Sequence, residues 1–226
     1  MAILPVRGLY TPGGFFSKMG DTAKPRRSRD PDIVRGRILD AAQAEFMLAG
    51  YAGASTNRML ELFGGSKPTM FRYFPTKRAL FEGVVGRVAS GWAEQIDWQH
   101  IPSDTPEPWL RDFSRLVLRW ILAEENIFVG RMAIAEGAAF PEIAQTYREL
   151  AVEPIEAVLS SHLRKWTEAG LLACNDPRRD ATSFLDLTVS GVVSRALYHV
   201  LGQLSDQELD QHIAHAVGLF LRGRLK

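Results

Sequence analysis

The stretch 55–80 reads STNRMLELFGGSKPTMFRYFPTKRAL, and it gathers the side chains best suited to polar chemistry. Ser66, Lys67 and Thr69 set donors at the start of a short helix that tolerates Pro68 in its first turn; free N–H groups and the helix dipole favour an anion there. Arg72 and Tyr73 follow one turn later, in reach of a base edge or a phosphate, and Lys77 opens the next helix with another cation. No glycine-rich phosphate loop, metal-ligand set or nucleophile motif occurs, so neither enzyme activity nor a cofactor or metal is expected. His212 and His215, three residues apart, could supply half a metal site but have no acidic or Cys partner at ligand spacing.

The charge is divided to match. Up to residue 87 the chain has 14 Lys+Arg against 7 Asp+Glu, and after it 13 against 19. A basic head on an acidic body implies that only the head meets a polyanion. The single cysteine, Cys174, allows no internal disulfide, which suits a reducing cytoplasm. Every apolar stretch is interrupted by charge before ~20 residues, so no membrane span is expected. Residues 1–29 lack a signal-peptide pattern and read as a flexible basic arm, with Met19 as an alternative start. Its run Lys24 to Arg29 is either a disordered tail or a tether to a minor groove or phosphate.

The elements that must position these side chains are helical throughout, so the fold class is all-α. Asp30 and Pro31 start a helix whose apolar face includes Ile38, Ala42 and Phe46, and Gly50 closes it. Ser55 or Thr56 caps a second helix to about Phe63. Gly64 and Gly65 turn the chain, and Ser66 caps a third that ends at Phe74-Pro75. Two short helices across a glycine turn, preceded by a packing helix, form a helix-turn-helix. Thr76 caps a longer helix with Phe81, Val84, Val85, Val88, Trp92 and Ile96 on its apolar face. Further helices are expected at about 107–123, 125–138, 141–169 (kinked near Pro154), 178–202 and 206–223. The expected division is an arm at 1–29, a DNA-binding domain at 30–78, and an effector-binding and dimerisation domain at 79–226.

Residues 37–81 resemble the DNA-binding domain of the TetR/AcrR family. The resemblance rests on Ile38-Leu39-x-Ala41-Ala42 with Phe46, the Gly50-Tyr51 turn, Ser55-Thr56, Ser66-Lys67-x-Thr69, Tyr73-Phe74 and the Lys77, Leu80, Phe81 exit. It implies that the helix from Lys67 to Phe74 enters the major groove and that Thr56, Arg58 and Lys77 contact phosphates. With Ser55, Asn57, Ser66, Pro68, Thr69, Phe71, Arg72 and Tyr73 these make up the expected DNA-binding set. Three positions depart from the family pattern: Leu60 replaces a small residue, Gly65 a branched apolar one, and Phe71 the usual tyrosine. Leu60 is positioned to fill the volume that Gly65 leaves.

Residues 131–141, RMAIAEGAAFP, resemble the AefR-like subgroup, in which this run lies beside the ligand cavity. The body is rich in large aromatics, and a subset could line a pocket for a small apolar or amphipathic effector. The candidates are Trp92, Ile96, Phe113, Trp120, Phe128, Met132, Tyr147 and Trp166, with Glu136 and His162 as polar groups. A homodimer interface is expected on the last two helices, at Phe184, Thr188, Gly191, Val192 and Arg195, and at Leu209, Ile213, Ala216 and Phe220. The resulting expectation is a one-component, ligand-responsive repressor reading a palindromic operator in double-stranded DNA. A helical adaptor that binds small molecules without reading DNA is the alternative.

Overall fold

A computed structural model of the chain describes residues 30–95, 105–198 and 205–224; for 90–95 the backbone alone is described. The arm at 1–29, Ile96 and Trp98 lie outside the described residues, as does the side chain of Trp92.

Helix α1, Pro31–Gly53, starts as its sequence dictates: the Asp30 carboxylate accepts from the Asp32 N–H, and Pro31 occupies the first turn. The helical path breaks at Gly50, whose φ of 68° lies in the region that favours glycine, before one more turn ends at Gly53. Helices α2 (Thr56–Phe63) and α3 (Lys67–Tyr73) are capped by Ser55 and Ser66, and Gly64 closes α2 in the left-handed conformation. Helix α4, Lys77–Gln95, begins with the Thr76 hydroxyl accepting from Ala79 N–H. It is bound along α1, where Arg87 bonds to Asp40, Gln43 and the Gly36 carbonyl.

The body follows as α5 (Pro106–Ile121), α6 (Glu124–Glu136), α7 (Pro141–Tyr147), α8 (Glu153–Glu168), α9 (Pro177–Leu185), α10 (Gly191–Leu197) and α11 (Asp206–Arg222). The kink expected at Pro154 appears as a π-turn over Arg148–Val152 that joins α7 to α8. The helix expected to run unbroken over 178–202 carries a second π-turn, Asp186–Ser190. There the Thr188 hydroxyl bonds back to Phe184 O at 2.8 Å, and the Thr188 carbonyl accepts from His212 Nε2 of α11 at 2.8 Å. A carbonyl served from another helix has less need of its place in the ladder. Ser205 and Glu208 form a capping box at the start of α11.

Two apolar cores result. The lower one packs α5, α8, α9 and α11 around Trp109, Phe113, Leu159, Phe184 and Phe220. The upper one fills the head with Ile38, Phe46, Met59, Phe63, Met70 and Phe74, and continues through Phe81 and Val84 of α4 into Val129, Met132 and Ile143 of α6 and α7. The head's core therefore continues into α4, α6 and α7.

Candidate nucleic-acid interface

On α3 the buried face is Met70, with the C-cap Phe74 continuing it, so the opposite side must face outward. Pro68 and Arg72 are exposed there, Lys67 is exposed at the start of the helix, and Thr69, Phe71 and Tyr73 are half-buried at the flanks. Ser66 Oγ accepts from Thr69 N–H at 3.2 Å, and the two hydroxyls lie 2.7 Å apart. Lys67 Nζ stands 5.8 Å from the Phe71 ring centre and the Arg72 guanidinium 5.4 Å from that of Tyr73. Neither cation has a carboxylate partner among the described residues. On α2, Asn57 and Arg58 are exposed while Ser55 and Thr56 are half-buried.

The volume at Gly65 is occupied, but not by Leu60. A Cβ at Gly65 would meet the Phe63 ring at 2.1 Å, so that ring lies directly on the glycine. Phe63 is also met by Arg37, whose guanidinium is 5.4 Å from the ring centre and donates to Phe63 O at 2.8 Å. Leu60 packs half-buried at the edge of the head core. The unusual glycine is thus a space requirement of the α2–α3 turn.

Two cations expected on phosphates have partners within the protein, although Arg58 stays exposed and Lys77 half-buried. Arg58 meets the buried Glu45 through Nε at 2.9 Å and Nη2 at 2.6 Å, and also donates to Gly53 O at 3.1 Å. Glu45 accepts Ser55 N–H at 2.8 Å as well; the Arg58 hydrogen bond holds its carboxyl below the ordinary carboxylate range, against the opposing effect of burial. Lys77 Nζ donates to Ala52 O at 3.1 Å and Ala54 O at 3.3 Å, and lies 4.9 Å from the Tyr51 ring centre. From the body, Glu136 Oε1 accepts Ala52 N–H at 3.2 Å. Tyr51 stacks on Phe46 and meets Phe81 and Phe140 edge-on. The turn 50–55 is thereby gripped by charged side chains from α1, α2, α4 and α6.

The expected effector residues that the structure describes do not converge. Phe113, Trp120, His162 and Trp166 belong to the lower core region. There His162 stacks on Trp109 at 4.0 Å and bonds to Val158 O, while burial pushes its pKa down. Phe128, Met132 and Tyr147 pack with the upper core, and Glu136 is spent on the head. Sequence reading missed two polar residues of α6. Asn126 is only 8% exposed; its amide N–H donates to Trp120 O, while its Oδ1 has no partner. Arg131 donates to Leu197 O at 2.9 Å and Ala196 O at 2.6 Å, fixing α6 to the end of α10. One turn from Asn126, Gly130 faces the Tyr147 hydroxyl, which would lie 3.4 Å from a Cβ there. Burial raises the pKa of that tyrosine. A buried polar atom without a partner leaves no pattern in sequence.

The expected dimer residues need correction. Phe184, Thr188, Val192, Leu209, Ile213, Ala216 and Phe220 are all buried within the protomer, and only Gly191 and Arg195 of that set are exposed. The apolar stripe of an amphipathic helix is its core face, so the outward stripe is offset from it. That stripe carries Leu187 (44% exposed), Gly191 and Tyr198 (73%), with His215, Gly218 and Leu219 (44%) on α11. Among the described residues no group of three or more His, Cys, Asp or Glu could hold a metal, and no helix is long and apolar enough to cross a membrane.

Comparison with known proteins gives a consistent result. Residues 38–84 match the family model of bacterial regulatory proteins of the tetR family, and residues 108–223 that of the AefR-like transcriptional repressor C-terminal domain. A TetR-family regulator structure from Mesorhizobium loti superposes with a TM-score of 0.76 at 25% identity, covering 88% of this chain and all (100%) of that one. The flavonoid-responsive regulator FrrA shares the fold with a TM-score of 0.75 at 23% identity, covering 86% of this chain and 98% of that one. Over 157 residues the chain is 26% identical to the HTH-type transcriptional regulator RutR of Escherichia coli, spanning 68% of this chain and 71% of that one.

The Gly65 geometry makes a stability prediction. Gly65→Val forces the Phe63 ring from under Arg37 and costs about 1–3 kcal/mol, seen as a lower thermal midpoint; Leu60→Ala costs less than Gly65→Val. An unchanged midpoint for Gly65→Val would contradict the packing described.

Proposed function

The chain belongs to the tetR family of bacterial regulatory proteins and carries the AefR-like C-terminal domain; from that membership we propose that it is a ligand-responsive repressor binding a palindromic operator as a homodimer. The observation that carries this reading is the outward face of α3. It presents Lys67 and Arg72 without carboxylate partners, whereas Arg37, Arg58, Lys77 and Arg87 are bound internally. With Arg35 of α1, which lies over the Phe74 ring, Lys67 and Arg72 are the head's described cations with neither a carboxylate nor a carbonyl partner, and two of the three stand on the helix that the family places in the major groove.

Dimerisation is supported by the outward stripe of Leu187, Gly191, Tyr198, Gly218 and Leu219. A Cβ at either glycine would meet nothing within 4 Å, so a second helix can approach closely there. A two-fold pair would offer two copies of α3 to successive major grooves, roughly 34–36 Å apart.

Effector response is supported by the way α6 spans the molecule. Its first turn carries the unpartnered Asn126 oxygen, its middle holds α10 through Arg131, and its last residue holds the head through Glu136. An amphipathic effector that donates a hydrogen bond to Asn126 would compete for the position of this one helix. It biases operator binding only by as much as its affinity differs between the two states.

Selection from random duplexes on the purified protein should enrich a palindrome. On that duplex Arg72→Ala should cost about 1–3 kcal/mol, and Lys67→Ala should lower the salt slope by about one. Enrichment of no duplex would favour the adaptor reading. In sedimentation, Leu187→Glu combined with Leu219→Glu should convert a dimer to a monomer; an unaltered dimer would place the interface elsewhere.

A further inference from the structure

Resting on the reading of α3 as the DNA-reading helix, we infer that it specifies thymine, through contact with the thymine 5-methyl group. The major groove offers a short code: guanine presents two acceptors, adenine a donor beside an acceptor, cytosine a donor, and thymine a methyl beside an acceptor. Reading adenine by a bidentate pair takes Asn or Gln, and reading cytosine takes a carboxylate. The outward side of α3 contains none of these residues. It contains the exposed Pro68 ring, flanked by half-buried Thr69 and Phe71, with Lys67 and Arg72 as its cations.

Two details make this face more apolar than its residue names suggest. The Thr69 hydroxyl is turned back onto Ser66 at 2.7 Å, so the methyl is the uncommitted part of that side chain. Phe71 carries no hydroxyl, and its ring is held under Lys67. The cations supply the attraction to a polyanion and can reach the guanine acceptors, Arg72 through its fork and Lys67 through its ammonium. Pro68 is rigid and has no donor to offer, so it contributes surface only, which among the four bases is matched by the thymine methyl. The half-site read by α3 therefore includes at least one thymine whose methyl meets this surface.

The test begins with the palindrome enriched by the full chain, in which each thymine of one half-site is replaced in turn by deoxyuridine. This removes the methyl and keeps every hydrogen-bonding atom. Affinity should fall roughly three- to five-fold at one or more positions, as expected for exposing one buried methyl, and in Pro68→Ala the penalty at one of them should vanish. Binding of every deoxyuridine duplex as tightly as the parent would overturn the inference while leaving the DNA-reading function intact. Enrichment of no duplex would overturn both.

Discussion

The structure turns on the short segment 50–55, where the chain leaves α1 and enters the helix-turn-helix. A turn with φ positive at Gly50 exposes backbone N–H and C=O groups that no helix satisfies. Here they are met by charge. Glu45 takes the Ser55 N–H, Glu136 the Ala52 N–H, Lys77 the Ala52 and Ala54 carbonyls, and Arg58 the Gly53 carbonyl. Charge-assisted bonds of this kind are the stronger and more directional ones. Because the four side chains come from four helices, the turn cannot change shape without disturbing all of them. The orientation of α2, and through the Gly64–Gly65 turn that of α3, follows from it.

The same constraint joins head to body. Glu136 is the last residue of α6, and the helix that carries it is fixed to α10 by Arg131. The apolar core follows the same route, from Phe46 and Tyr51 through Phe81 to Met132 and Ile143. A shift of α6 would therefore act on the Ala52 N–H directly. The acidic body and the basic head are thus coupled through one hydrogen bond and one shared core.

Local chemistry was legible in the sequence. Asp30, Ser55 and Ser66 cap the helices that follow them, and Gly50 and Gly64 take positive φ where the sequence places a helix end and a turn. These features depend on residues within a few positions of one another. What depended on distant partners was not legible. Arg58 and Lys77 look like surface cations until Glu45 and the Ala52 and Ala54 carbonyls are placed beside them. The Gly65 space looked like room for Leu60, since sequence gives no direction for the Phe63 ring. The last two helices each have an inward and an outward stripe of equal period, and the more apolar stripe, which reads as an interface in sequence, forms the core. The pairing of Glu136 with Ala52 spans 84 residues and has no local signature.

The central claim is that one gripped turn sets the recognition helix relative to the body. It is tested most directly by Glu136→Gln, with hydrogen exchange at Ala52 and duplex affinity measured on the same preparation. Loss of the charge that accepts this N–H should speed exchange at Ala52 and change operator affinity several-fold, with the fold retained. Unchanged protection together with unchanged affinity would contradict the account.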